Sequence, residues 1–397
     1  MKTIGITWRY YIFSFLSGLS FYTAALVPFY TNWGHISLTQ VQFLQAWLMI
    51  WAFVLEIPTG VIADKFGRKY SVAIGCLFIF ISFLVYGTFP YFMAFLVAEF
   101  FAALGMALMS GASEALLYDS LKEENKTKDF KNIFGKSFSI GQISAIISAP
   151  IGGYIASKYG LNIPMLVTSI PALISTLLIL TVKEPSIIKI KSANTRYSEI
   201  AKNGINSLIK NKQLMLLALN GILIYTGVYF VIWLYQPLLQ QLGVNIVYFG
   251  FIRSIFSVSG IIFATNLPKF EKLFGSRKNY FNLTAITSIL SLSFIIIYPS
   301  IITIILAIII LGGIGQARFM ALNSYMNELV PSAQRATSLS AISMLNRLIL
   351  IVLNPVVGYV ADQSIRGAFV IICIISILAV IIVPLHFSNV KKQTIKL

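Results

Sequence analysis

Twelve stretches of about 20 apolar residues, each bounded by charges, prolines or glycines, run the length of the chain, and a bilayer core about 30 Å thick is crossed by a helix of that length. Six lie at Tyr10 to Phe29, Val41 to Ile62, Ser71 to Phe89, Tyr91 to Tyr118, Ile133 to Ala156 and Ile163 to Val182. Six more follow at Leu214 to Leu239, Ile246 to Leu267, Phe281 to Tyr298, Ile301 to Tyr325, Ser338 to Val360 and Ala368 to Phe387. Backbone amides cannot stay unpaired in hydrocarbon, so runs this long are read as helices; barrel strands are shorter and alternate. The first run follows Lys2 and Arg9 like a secretory leader, but no small-residue cleavage site precedes the second, and it is read as an uncleaved helix. With 57% hydrophobic and 11% charged residues, the 397-residue chain is far from a soluble composition.

The formal charge of +17 raises the question of nucleic acid, and the positions of the basic residues answer it. With both termini cytoplasmic, Lys158 and Arg366 fall outside and Arg253, Arg318 and Arg347 fall within helices. The rest lie at cytoplasmic segments, the positive-inside pattern. A basic face against an anionic leaflet explains the charge, so no nucleic-acid partner is expected. Cys76 and Cys373 both sit in expected helices and read as packing residues, and His35 and His386 are isolated at helix ends, so no metal site is expected.

The longest polar stretch divides the chain into a six-helix bundle at 1–182, a cytoplasmic linker at 183–212 and a second six-helix bundle at 213–397. Tyr197 to Ile209 within the linker has the spacing of a short surface helix. The halves are related. PIGGYIA from Pro150 and PVVGYVA from Pro355 are 205 residues apart, FGRK from Phe66 and FGSRK from Phe274 are 208 apart, and Gly34 and Gly243 are 209 apart. A near-constant displacement of half the chain points to a parallel duplication, the plan of many secondary transporters.

Between the second and third helices lies Gly60-Val-Ile-Ala-Asp-Lys-Phe-Gly-Arg-Lys69. Gly60 permits close helix approach, Gly67 a tight turn, and the charges a breakable latch; the plainer reading is a basic loop that only sets topology. The stretch resembles the loop signature of the major facilitator superfamily, G-x-x-x-D-x-x-G-R-[KR], matched by Gly60, Asp64, Gly67, Arg68 and Lys69. The resemblance implies an all-α membrane protein of twelve transmembrane helices in two pseudo-symmetric six-helix bundles. It also implies that Asp64 braces the two halves through a helix end and that Arg68 joins the same cluster. KEP after the sixth helix and VPSAQRAT, Val330 to Thr337, before the eleventh extend the likeness, and Thr337 or Ser338 is placed to cap the next helix. GQISAIISAPIGGYIA in the fifth helix resembles the Gly/Pro signature of proton-driven exporters, departing from it at Ala149 and Tyr154; Pro150 and Gly152-Gly153 equally suit a bend and close packing.

Charges inside helices are costly and point to function. Glu56, Glu99, Arg253, Arg318 and Arg347 are of this kind. If the superfamily fold holds, the first, fourth, seventh and tenth helices line a cavity, with Glu99 and Arg318 on opposite sides of the substrate path. Glu99 lies about nine residues into its helix, near mid-membrane at ~1.5 Å per residue; a carboxylate there can take a proton on one side and release it on the other, or form a permanent ion pair. Glu56 and Arg347 lie at similar depths and suit a salt bridge between halves, or snorkelling. Glu114 and Asp119 approach the cytoplasm as gate residues or as a solvated helix end. In the seventh helix Tyr225, Tyr229, Trp233 and Gln236 share a face and, with Asn220, suit a substrate wall or helix packing.

No phosphate loop, metal cluster or Ser/His/Asp arrangement is present, so neither an enzyme nor a bound cofactor is expected. The expectation is a monomeric, multi-pass inner-membrane protein that moves a small-molecule substrate by alternating access, with lipids and protons as partners and the proton gradient as energy source. Proton-coupled export of amphipathic molecules is preferred. Uptake of a sugar or organic anion, or lipid translocation, are the alternatives.

Overall fold

The computed structural model describes residues 5–186, 211–330 and 335–382, except for some side chains, among them Ile57, Asp64 and Asn327. Among the described residues twelve long helical segments follow one another: α1 Ile6–Trp33, α2 Leu38–Phe66, α3 Arg68–Thr88, α4 Phe92–Glu123, α5 Phe130–Tyr159, α6 Ile163–Leu180, α7 Lys212–Gln241, α8 Val247–Thr265, α9 Arg277–Ile297, α10 Ile301–Met326, α11 Arg335–Gln363 and α12 Ile365–Ile382, with a short helix at Leu267–Leu273 between α8 and α9. Eleven spans are long and apolar enough to cross a membrane; α12 is apolar over the 18 residues described. No strand occurs among the described residues. The surface fits a lipid solvent, because Ile297, Ile302 and Val352 are 76, 71 and 65% exposed, as hydrocarbon-facing side chains must be. The expected short helix at Tyr197 to Ile209, the Pro331–Gln334 part of VPSAQRAT, and His386 lie outside the described residues.

Local chemistry sets where helices begin. Ser37 accepts from the Gln40 amide while Gln40 returns a bond to the Ser37 amide, a capping box that starts α2 three residues earlier than expected. Ser300 forms a second such box with Thr303 at α10, and Ser276 caps α9 by accepting from the Asn279 amide. Three spans depart from regularity. In α1 a π-helical turn occupies Phe29–Trp33, in α10 another occupies Ile310–Gly315, and α4 breaks at Ser110–Gly111 between Phe92–Met109 and Ala112–Glu123.

Contacts divide the chain along different lines from the expected halves. A first compact unit comprises residues 1–194, 239–257 and 347–363; a second comprises 195–238, 258–346 and 364–397. The ends of α8 and α11 that carry Arg253 and Arg347 therefore pack with the first six helices, not with the rest of their own half. In the first unit α3 packs against α4 and α6, α2 against α4, and α1 against α5. Its core gathers Tyr10, Phe13, Val72, Cys76, Leu116, Leu117 and Ile179. Gly152 in α5 sits so near α1 that an added Cβ would lie 1.9 Å from the Phe21 carbonyl oxygen. In the second unit α9 packs on α10 and α12, with Ile224, Ala285 and Ala379 at the core. Both cysteines are buried, Cys76 with Sγ 3.9 Å from Met109 Sδ and Cys373 with Sγ 3.6 Å from Ser293 Oγ.

Candidate functional site

Glu99 is 4% exposed in α4. Its Oε1 accepts from Gln45 Nε2 at 3.2 Å and from Tyr30 Oη at 3.4 Å. Tyr30 reaches it from the π-helical turn of α1, which brings Phe29, Tyr30 and Trp33 onto a ring cluster with Tyr86 and Phe95. The carboxylate is thus boxed by rings and two neutral donors, and no ion pair among the described residues involves it. Seven residues separate it from the start of α4 at Phe92, about 10 Å of rise in a 32-residue span, so it sits nearer that end than the middle.

Arg318 is 2% exposed in α10, in the second unit, three residues beyond the π-helical turn. Its Nη2 donates to Asn220 Oδ1 at 2.7 Å, and its Cζ lies 5.6 Å from the centre of the Phe281 ring. Asn220 in turn donates from Nδ2 to the Ala379 carbonyl at 3.1 Å. Tyr225 of α7 stacks on Phe319 of α10 at 4.4 Å and 27°. Tyr229 packs on Phe230 and Trp233, and Gln236 donates to Tyr235 Oη at 2.9 Å, contacts made within α7 itself.

The structure brings Glu56 and Arg347 together, with Nη1 to Oε2 at 3.0 Å and side chains 49 and 37% exposed. Arg253 is half-buried and donates to Ser257 Oγ on its own helix at 3.0 Å, with Phe256 beneath its guanidinium. Neither Arg253 nor Arg347 is buried as Arg318 is, and both lie on the stretches of α8 and α11 that belong to the first unit.

In the signature loop, Gly67 holds φ +105 and ψ 150, a backbone that other residues avoid, and separates α2 from α3. Arg68 pairs with Asp119 and donates from Nη1 to the Ala115 carbonyl at 3.1 Å. Glu184, the acid of KEP, accepts from the Arg68 and Lys69 amides at 2.8 Å each, so a carboxylate closes the N-terminus of α3. Glu114 is exposed, and the two expected gate acids thus part company: only Asp119 joins the loop. Gly60 lies within α2, and the Asp64 side chain lies outside the described residues.

Tyr30, Gln45, Glu184 and Asp362 escaped the sequence reading. Asp362, at the end of α11, accepts from the Leu38 amide at 2.7 Å, the Thr39 amide at 3.0 Å and the Thr39 hydroxyl, closing the start of α2. A polar residue inside an apolar run marks Gln45, and an acid after a repeat end marks Asp362; nothing in the sequence pairs either with its partner.

The Major Facilitator Superfamily description matches residues 10–270 and 217–396, and the chain belongs to that family. Among similar proteins, the MFS-type transporter YxaM of Bacillus subtilis (strain 168) is 24% identical over 373 residues, 90% of each chain. An uncharacterized transporter of Buchnera aphidicola subsp. Schizaphis graminum (strain Sg) is 34% identical over 107 residues, 27% of this chain and 26% of that one; the chain spans about a quarter of the length of the first curated relatives it matches. The crystal structure of the nucleoside transporter NupG superposes with a TM-score of 0.78 at 18% identity, covering 96% of this chain and 98% of that one, a likeness of fold.

Proposed function

We propose that this transporter couples solute movement to a proton gradient through Glu99. The supporting observation is the box around its carboxylate: a charge that no cation cancels among the described residues, held by a tyrosine and a glutamine inside an apolar span. Such a group gains or loses its proton according to whether water reaches it, and alternating access changes which side supplies that water. Protonation and helix movement are then two descriptions of one equilibrium. Export of an amphipathic molecule and uptake of a sugar or organic anion use this same carboxyl and differ in whether the solute travels against the proton or with it. The Gly/Pro stretch of α5 favours export less than its sequence suggests, because Gly152 is accounted for by the close approach of α1.

The test is internal pH in proteoliposomes under gradients of either sign, with lipophilic cations, carboxylates, nucleosides and sugars added in turn. Solute-triggered proton movement that disappears in Glu99→Gln is expected, and its sign gives the direction. Gradient-driven transport unchanged in Glu99→Gln would remove the coupling role.

A further inference from the structure

We propose that Arg318 anchors the anionic group of the transported solute, and that this solute is an organic carboxylate. The proposal rests on the transport reading above but not on proton coupling. A guanidinium carries five N–H donors in a fixed fork that matches a carboxylate two bonds at a time. At Arg318 one of those donors is used by Asn220, and Nε has no hydrogen-bond partner. No ion pair among the described residues involves this side chain, although it is 2% exposed. The other buried charge among the described residues, Glu99, has two donors aimed at one oxygen. Arg318 is by comparison under-served.

Asn220 orients the guanidinium without neutralising it. Its amide nitrogen is committed to the Ala379 carbonyl, which turns the amide oxygen toward Arg318. Phe281 closes one face of the guanidinium plane. The result is a rigid cation with donors to spare, a design suited to receiving an acceptor. The π-helical turn at Ile310–Gly315 loosens the regular ladder just before Arg318, the kind of irregularity found at sites that bind or move.

Two features select among anions. Among the described residues Arg318 meets an amide and a ring and no second cation, so the site balances one negative charge; a phosphate ester near −2 would remain uncompensated. The adjoining Tyr225–Phe319 stack offers an apolar face beside the charge, suited to the carbon body of an organic acid. A lipid headgroup is disfavoured, since Arg318 faces the interior of its unit and not the exposed apolar surface.

The experiment is equilibrium binding and thermal stability of the detergent-purified full chain without any gradient, using benzoate, hexanoate, inorganic phosphate, uridine, xylose and phosphatidylglycerol micelles. Stabilisation by a carboxylate is expected, with affinity falling about tenfold or more in Arg318→Gln and less in Arg318→Lys, which keeps the charge and loses the fork. Because removing Arg318 can impair folding, Asn220→Asp provides a second arm: a carboxylate placed 2.7 Å away satisfies the guanidinium internally. That variant gives up the bond to the Ala379 carbonyl while gaining an ion pair with Arg318, and should lose carboxylate affinity by a similar factor. Carboxylate binding unchanged in Arg318→Gln and Asn220→Asp would overturn the proposal. So would stabilisation confined to phosphate, neutral solutes or phosphatidylglycerol, or indifference to every carboxylate. Carboxylate binding that persists where Glu99→Gln leaves transport unaltered would instead sink proton coupling alone.

Discussion

Glu56, Glu99, Arg253, Arg318 and Arg347 interrupt the apolar runs with charge, and burial sorts these five into two kinds. Glu99 and Arg318 are enclosed, at 4 and 2% exposure, and each is served by neutral polar groups from neighbouring helices. Glu56, Arg253 and Arg347 are half-buried or more exposed, and their partners are an opposite charge or a hydroxyl one turn away. An exposed ion pair contributes only about 0.2–1 kcal/mol, so Glu56 with Arg347 is suited to a contact broken in every cycle. Arg347→Glu should therefore leave thermal stability within about 1 kcal/mol of the parent while changing the transport rate, and Glu56→Arg in the same chain should restore that rate. Failure of the double reversal to restore transport would rule out a direct role for the pair. The sequence marks all five charges because each interrupts an apolar run. It cannot distinguish the two kinds, because burial of Glu99 depends on Tyr30 and Gln45, 69 and 54 residues away.

Helices gain their limits from the groups that close them, and α3 shows how far such a group can reach. The Arg68 and Lys69 amides at its start are taken by Glu184, 116 and 115 residues onward, and the Gly67 turn places them there. An alanine Cβ at Gly67 would meet the Glu184 carboxyl at 2.8 Å as well as the strained backbone. Strain of that kind costs about 1–3 kcal/mol, whereas losing a carboxylate cap costs about 0.5–2 kcal/mol. Gly67→Ala should thus lower the unfolding temperature of the purified protein more than Glu184→Gln does. A Gly67→Ala protein as stable as its parent would show that the turn relaxes freely. The spans themselves were legible to within a few residues, since about 20 apolar residues make one crossing. The π-helical turns in α1 and α10 were not, because they follow from packing and leave no periodic trace in sequences already apolar throughout.

Across the whole molecule, the two sequence halves do not coincide with the two compact units, and Asp362 shows one reason. It lies near the end of α11 yet closes the start of α2, 324 residues earlier in the chain. The Ser37–Gln40 capping box already serves the same helix end. When Asp362 withdraws, α2 keeps an intact cap, so the contact can part without unravelling the helix. Asp362→Asn should raise hydrogen exchange at the Leu38 and Thr39 amides and speed the exchange between access states, while the α2 amides beyond Gln40 keep their protection. Exchange unchanged at those two amides would remove the latch. The duplication foretold two similar halves; it carried no information on which helix ends cross from one to the other, since that depends on side chains with no counterpart in the repeat.

The two thiols of the molecule, Cys76 in one unit and Cys373 in the other, are both enclosed by neighbouring side chains. A polar maleimide applied to the native protein in this arrangement should find nothing to alkylate. A single cysteine introduced at an exposed position, such as Glu114 or Phe66, would then be the sole reporter on a silent background. Alkylation of Cys76 or Cys373 during turnover would in turn betray an opening of the helix packing that surrounds it.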